Sequence, residues 1–138
     1  MSDHKKTAAV ADSVLKTAAL SARALAIAPY SGFRVGAALS TADGKTYEAG
    51  NIESSSYSLT LCAERVALFK ALSEGERAFE TIAIASDTEE FCSPCGACRQ
   101  VLWDYARDIR VILVNRAGDT REMPLSDLLP HAFDDRMF

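Results

Sequence analysis

Residues 81–100 have the sequence TIAIASDTEEFCSPCGACRQ, which gives the first indication of the fold class. The run from Thr81 to Ser86 is short, β-branched and apolar, which predicts a buried strand. An acidic turn follows from Asp87 to Glu90, and Pro94 stands where a helix can begin, with apolar residues behind it. The stretch therefore predicts a buried strand that leads into a helix.

The segments on either side continue this alternation of extended and helical patterns. The further elements predicted are a long helix over Lys5–Ala28, ended by Pro29; strands over Phe33–Leu39 and Lys45–Asn51, joined by a hairpin turn at Asp43-Gly44; a helix over Cys62–Leu72, closed by Gly75; strands over Ile109–Val114 and Thr120–Met123; and a final helical turn over Leu125–Leu129. The predicted order is α-β-β-α-β-α-β-β-α. It indicates an α/β fold, with helices on the faces of one mixed sheet.

Composition limits the number of domains and the kinds of partner. The 138 residues fit a single domain over 1–138, large enough to fold around a core. A net charge of -4, with no long run of Lys or Arg, argues against a nucleic-acid partner, because such binding depends on neutralised phosphates. No apolar stretch approaches the roughly 18 residues of a membrane span, so we expect no membrane partner.

The cysteines are the first sign of chemistry. Cys95 and Cys98 form a CxxC at a predicted helix start, where the helix dipole favours the metal-binding thiolate form. This segment alone fits a redox pair, half of a metal site or two small buried residues. Four cysteines in a chain with a polar amino terminus favour thiols or metal ligands over disulfides.

A second segment, Cys62-Ala63-Glu64-Arg65, also lies at a predicted helix start. Three thiolates on one zinc ion leave a fourth tetrahedral position for water, which distinguishes a catalytic site from a closed structural one. Glu64 is then the expected acid-base group, although a glutamate that complements a helix dipole is the common use of this position. The two histidines, His4 and His131, lie outside both segments, so a carboxylate is the best available base.

Together these segments match the zinc-deaminase signature of a first ligand, one residue, Glu and a later Pro-Cys-x-x-Cys. The chain resembles the small, single-domain cytidine deaminases nearly end to end. Ordered blocks that carry the resemblance are YSGFRVGAAL at 30–39, NIE at 51–53, LCAER at 61–65, PCGACRQ at 94–100 and LLPHAF at 128–133. The family implies a three-layer α-β-α domain with a five-stranded mixed sheet, a cytoplasmic homotetramer, and one Zn²⁺ per subunit.

The resemblance also implies a reaction and its central residues. Cytidine, and with it 2′-deoxycytidine, would lose its amine as ammonia and become uridine or deoxyuridine, a step of pyrimidine salvage. Zinc, held by Cys62, Cys95 and Cys98, would lower the pKa of water to about 7. Glu64 would take the water proton and deliver protons to ring N3 and the departing amine. Arg65 would donate hydrogen bonds to ligand sulfurs and offset their charge.

Further roles follow from the same resemblance. Asn51 and Glu53, which alone indicate only an ordinary loop entry, would bind the ribose 3′-hydroxyl. Phe33 would form a wall beside the base, and Ala63 would contribute its backbone amide. Tyr57 and Phe133 would complete the site of a neighbouring subunit. Arg99 is either a second donor to the sulfurs or an ordinary helix-surface arginine.

Three positions depart from the family pattern or fall outside it. Ser54 stands where many members carry Asn, and Gly50 where Cys often precedes the Asn, so the ribose loop can differ in detail. Cys92 has no place in the signature and is interpreted as a small buried or spare thiol. Were Cys92 a ligand, four cysteines would form a closed structural site without catalysis.

Two rival functions remain at this stage. The first is another substrate on the same scaffold, as in an antibiotic deaminase of the blasticidin type or a nucleotide deaminase. Asn51 and Glu53 favour a ribose diol, and the chain has no clustered basic patch for a phosphate. The second is a structural zinc or thiol-redox protein, against which Glu64 and the distant matched blocks argue.

Overall fold

The computed structural model describes residues 9–138, and its elements confirm the predicted order. The helices are α1 (Asp12–Ala22), α2 (Ala63–Ser73), α3 (Gly96–Tyr105) and α4 (Leu125–Leu128); the strands are β1 (Val35–Thr41), β2 (Thr46–Gly50), β3 (Phe79–Ser86), β4 (Arg110–Val114) and β5 (Thr120–Pro124). Short 3₁₀ helices cover Arg23–Leu25, Tyr57–Leu59 and Asp135–Met137. Within residues 9–138, no helix is both long and apolar enough to cross a membrane.

The five strands form one mixed sheet in the order β2-β1-β3-β4-β5. Strands β3 and β4 are parallel, and the other three neighbouring pairs are antiparallel. The parallel pair is joined by α3, as a crossover connection requires. This arrangement places the start of β1 beside the end of β3, where Val35 pairs with Ser86. The candidate site lies at this edge of the sheet.

The two faces of the sheet are covered by different helices, which makes the domain three layers deep. Successive strand residues point to opposite faces. Leu39 and Ile82 therefore belong to a core with Leu68 of α2 and Leu102 of α3. On the other face, strand residues pack against α1 in a second core that contains Leu15, Ala19, Ala38, Ala83, Ala85, Ile112 and Val114. The predicted α-β-α layering is confirmed.

The first helix is shorter than predicted. The prediction ran from Lys5 to Ala28, of which residues 5–8 lie outside the described part of the chain, and α1 begins only at Asp12. Beyond Leu25 the backbone becomes extended and pairs with residues 51–53: Ile27 N–H donates to the Asn51 carbonyl (2.8 Å), and Glu53 N–H to the Ile27 carbonyl (2.9 Å). Pairing with this strand-like segment replaces the last predicted turns of the helix.

Two glycines let this amino-terminal region lie directly on the sheet. A Cβ added to Gly36 would stand 2.2 Å from the Ala19 carbonyl oxygen, and one added to Gly50 would stand 2.3 Å from the Ala26 nitrogen. The two glycines face each other across the β1–β2 pair. Gly50, a departure from the family pattern, is therefore matched to the close approach of the backbone at Ala26.

Candidate metal centre and active site

Two helix starts bring three thiols together. Cys62 is the N-cap residue of α2 and Cys95 that of α3, both with extended backbone, and Cys98 lies in the first turn of α3. The Sγ atoms of Cys62 and Cys95 are 3.6 Å apart, those of Cys95 and Cys98 are 3.5 Å apart, and all three lie within 4.8 Å of one another. These three residues are positioned to bind a metal ion, and a three-sulfur set is one that zinc takes.

The charge around this cluster also suits a metal. The Arg65 guanidinium lies 4.0 Å from Cys62 Sγ through Nη2, which also donates to the Thr60 carbonyl at 3.1 Å. Hydrogen bonds from the Cys98 thiol, from Cys95 and from Arg65 hold the pKa of Cys62 well below its usual range. Within residues 9–138, the buried Nε of Arg65 has no hydrogen-bond partner. The structure thus places the Arg65 guanidinium beside the three thiols, where its positive charge can offset the negative charge of the thiolates.

Glu64 combines deep burial with an unusual pKa. Its residue surface is only 4% exposed, and it follows Cys62 by two residues at the start of α2. Burial, with a smaller contribution from the Cys62 charge, raises the pKa of its carboxyl to about 7. A carboxyl with such a pKa can both take up and release a proton near neutrality, as a general acid-base group must.

A cavity of about 240 Å³ opens beside this cluster and contains the predicted substrate contacts. Phe33, Asn51, Glu53 and Ala63 line it together with Glu64. Phe33 and Asn51 come from the edge where β1 begins and β2 ends, and Ala63 and Glu64 come from the start of α2. The chain therefore brings its candidate acid-base group and its candidate nucleoside contacts into one space.

Asn51 and Glu53 are each held in place by backbone groups. The Asn51 side chain accepts from Val35 N–H (2.9 Å) and donates to the Phe33 carbonyl (3.0 Å), which orients Phe33 in the wall. Glu53 accepts from the backbone N–H of Tyr30 (3.0 Å) and Ser31 (3.1 Å) and from the Ser31 hydroxyl. The Ser31 hydroxyl contributes most to lowering the pKa of Glu53, so this residue stays an ionised acceptor.

Tyr57 and Phe133 do not line this cavity of their own chain. Tyr57 is 82% exposed and lines a neighbouring depression that shares Glu53 with the cavity. Phe133 is 57% exposed, stacks edge-to-face on Phe138, and has its carbonyl bound by Gln100 at 2.8 Å. Both aromatic side chains are therefore presented outward.

Two alternatives stood for Arg99, a second donor to sulfur and an ordinary helix-surface arginine, and its hydrogen bonds go instead to carbonyl and hydroxyl oxygens. Its Nε donates to the Pro94 carbonyl (2.7 Å), its Nη1 to the Leu128 carbonyl (2.9 Å) and its Nη2 to the Ser93 hydroxyl (3.1 Å). Leu128 ends α4, where carbonyl oxygens lack an amide partner within the helix, and the planar guanidinium offers donors to several such oxygens at once. The arginine supports a loop beside the metal cluster.

The sequence interpretation missed Cys92 and Ser93 as parts of the cavity wall. Both line the cavity, and Cys92 lies outside the three-thiol cluster of the described residues. Burial raises the pKa of the Cys92 thiol, which keeps it in its neutral form. The closed four-cysteine site considered from the sequence is therefore not the arrangement found. The only sequence signal for this wall is the position of both residues just before Pro94-Cys95.

Comparisons with known proteins agree with this geometry. The family model described as "Cytidine and deoxycytidylate deaminase zinc-binding region" matches residues 10–114. A cytidine deaminase of Sporosarcina psychrophila is 51% identical over 113 residues, which cover 81% of this chain and 83% of that protein. The crystal structure of cytidine deaminase from Burkholderia pseudomallei superposes with a TM-score of 0.87 at 47% identity, covering 90% of this chain and 100% of that one. A blasticidin-S deaminase of Bacillus cereus is 35% identical over 104 residues, 70% of this chain and 74% of that protein.

Proposed function

The chain belongs to the zinc-binding cytidine and deoxycytidylate deaminase family, and on that basis we propose that it hydrolyses cytidine to uridine and ammonia. The observation that carries the proposal is the meeting of three thiols with a buried carboxyl at one cavity. We extend the proposal to 2′-deoxycytidine, because a contact to the 3′-hydroxyl is available in both nucleosides.

The residues present fit one zinc ion per subunit. Cys62, Cys95 and Cys98 supply three soft donors, and the nearby Arg65 guanidinium offsets part of the negative charge of three thiolates. Zinc held in such an open site supplies Lewis acidity and lowers the pKa of a coordinated water to about 7. A redox pair requires only two of these thiols and leaves the third thiol and the buried Glu64 without a role.

Glu64 moves the protons of the reaction. Hydrolysis replaces the C4–N4 bond of cytosine with a C4 carbonyl, so both protons of the water must leave its oxygen: one ends on ring N3 and the other on the departing ammonia. The Glu64 carboxylate takes the first proton and passes it to N3, and then takes the proton of the new C4 hydroxyl and passes it to the amine as the C4–N4 bond breaks. A carboxyl that is 4% exposed, with a pKa of about 7, can cycle between both forms at neutral pH.

Phe33, Asn51 and Glu53 orient the nucleoside. Phe33 offers an aromatic face to the base. Glu53, ionised and anchored by the turn at Tyr30-Ser31, accepts a hydrogen bond from a ribose hydroxyl, while Asn51 keeps one free N–H and one free lone pair for the same group. Ala63 lines the cavity beside Glu64, and we assign its backbone amide to the base.

We propose that the active enzyme is a homotetramer in which neighbouring subunits complete each site. Tyr57 and Phe133 support this, because both are exposed aromatic residues that their own cavity does not use. Light scattering after size-exclusion chromatography measures the mass directly. Phe133→Ala should then raise the KM for cytidine in the assembled protein, whereas a fully active monomer would contradict shared sites.

We propose a cytoplasmic enzyme of pyrimidine salvage with one domain over residues 1–138. The free thiols support the compartment, since three of them must remain reduced to bind zinc. The match of the family model to residues 10–114 supports one domain.

A substrate panel tests the proposed specificity. Zinc-loaded protein is incubated with cytidine, 2′-deoxycytidine, cytidine 5′-monophosphate or blasticidin S, and products are separated by chromatography. We expect conversion of both nucleosides, and a loss of nucleoside conversion in Glu53→Gln with zinc content unchanged. Preferential conversion of blasticidin S or of the nucleotide would contradict the proposal.

A further inference from the structure

One side of the cavity is a short segment that we call the wall loop, residues 92–95. Its members Cys92, Ser93 and Cys95 line the cavity, and Pro94 is buried behind them. The loop leads directly into α3, at whose first turn Cys98 lies. Its position therefore sets both the shape of the cavity and the approach to the metal cluster.

The wall loop has few hydrogen bonds of its own. Pro94 has no backbone N–H to donate, and its carbonyl precedes the helix. In the described part of the chain, no residue outside the loop other than Arg99 forms a hydrogen bond to Ser93 or Pro94. Arg99 reaches both, through the 2.7 Å bond to the Pro94 carbonyl and the 3.1 Å bond to the Ser93 hydroxyl.

The same guanidinium connects the wall loop to α4. Its third bond goes to the Leu128 carbonyl at the end of α4, 2.9 Å away. A guanidinium can make these three bonds at once because its donors lie in one rigid plane, whereas the single ammonium of lysine cannot span three acceptors in this way.

We propose that Arg99 is a positioning residue that fixes the wall loop as one side of the substrate cavity. The proposal rests on the proposed deaminase function and assigns Arg99 a role in holding the cavity rather than in binding zinc. Without the guanidinium, the loop gains freedom at Ser93 and Pro94, while Cys95 remains held as a ligand and as the N-cap of α3. Substrate binding should therefore weaken while zinc remains bound.

Kinetics of the zinc-loaded protein provide the first test. Arg99→Ala should keep about one zinc per chain and lower kcat/KM for cytidine by about 10- to 100-fold, mainly through a higher KM. Millimolar guanidinium should restore part of the loss, because it can occupy the space of the missing group. Arg77→Ala is the matched control: Arg77 donates to the carbonyls of Leu72 and Glu76, away from the cavity.

A second readout does not depend on catalysis. With zinc on the other three cysteines, Cys92 is the remaining thiol of the chain, and it stands in the wall loop. Alkylation of Cys92 by iodoacetamide, followed by mass spectrometry, therefore reports how freely the loop opens. We expect about tenfold faster labelling in Arg99→Ala than in the unchanged protein, with guanidinium slowing it again and Arg77→Ala showing no change.

Ser93→Ala is a milder variant, because it removes only the hydrogen bond between Arg99 and the Ser93 hydroxyl. It should raise KM and the rate of Cys92 labelling by less than Arg99→Ala does. Unchanged KM and unchanged Cys92 labelling in Arg99→Ala would overturn the proposal. Loss of zinc in that variant, or equally fast labelling in Arg77→Ala, would also overturn it, since either result assigns the effect to the metal or to general stability. If the unchanged protein does not convert cytidine, the proposed function fails, and the labelling comparison still decides the role of Arg99.

Discussion

Replacing Glu64 with glutamine should separate catalysis from stability. The substitution keeps the size of a side chain that is 4% exposed and removes only its ability to ionise. General acid-base catalysis is worth about 10²- to 10⁴-fold, and Glu64 handles every proton in the proposed reaction, so a loss of at least about 10³-fold in kcat is expected. Zinc should remain at about one per chain, because the three thiols are untouched.

The pKa of Glu64 gives a second magnitude for the metal-free protein. Burial raises this pKa from 4.5 to about 7, and the difference corresponds to about 3 kcal/mol of folding free energy. A carboxyl whose pKa rises on folding favours the folded state only while protonated, so its contribution is lost as the pH rises from about 4.5 to 7. Glutamine does not ionise, so the metal-free Glu64→Gln variant should become increasingly more stable than the unchanged metal-free protein as the pH rises across this range.

Chemical denaturation of both metal-free proteins under reducing conditions, at pH 5 and pH 8, measures this gain. The stability of Glu64→Gln minus that of the unchanged protein should grow by about 3 kcal/mol between the two pH values. Turnover of cytidine by the zinc-loaded proteins is measured in parallel. A difference that does not change with pH would refute the burial argument, and turnover within tenfold of the unchanged protein would refute the catalytic role.

Three further experiments test the metal site and the fold. Cys92→Ser should keep about one zinc per chain in metal analysis, whereas Cys95→Ser should lose most of it; equal loss in both would favour a four-cysteine site. Gly36→Ala should lower the free energy of unfolding by about 1–3 kcal/mol or more, because the new Cβ meets the α1 backbone, while Gly96→Ala, which has open space, should not destabilise the fold. Asp134→Asn should lower the melting temperature at pH 7, because Arg136 and Trp103 hold the pKa of Asp134 far below its usual range and its ionised form stabilises the fold. The difference in melting temperature from the unchanged protein should shrink below about pH 4, and a difference that is constant with pH would contradict this.

Periodicity and turn residues predicted the sheet well. The run from Thr81 to Ser86 became the central strand β3, and the Asp43-Gly44 turn joined β1 to β2 as expected. The order of strands in the sheet was not predicted, because pairing between distant segments depends on contacts that local patterns do not encode. The first helix was predicted too long, since its composition remains helical up to Ala28 while the backbone from Ile27 pairs with the segment near Asn51.

The metal site was predictable because its residues are chemically distinctive and adjacent to helix starts. The supporting contacts were less accessible to sequence reasoning. The family resemblance left Arg99 as either a donor to the ligand sulfurs or a helix-surface arginine, whereas its guanidinium donates to the carbonyls of Pro94 and Leu128. The hydrogen bond from Ser31 to Glu53 likewise depends on a turn conformation that the residue types alone do not determine.

Titration of metal-free protein with zinc, followed by the decrease in ultraviolet absorbance of cytidine, measures whether turnover depends on the metal. We expect no conversion without metal and a rate that rises linearly to a plateau at about one zinc per chain, with stoichiometric ammonia release. Conversion of cytidine that is independent of zinc, or a protein that binds one zinc per chain and leaves cytidine unchanged, would contradict this expectation.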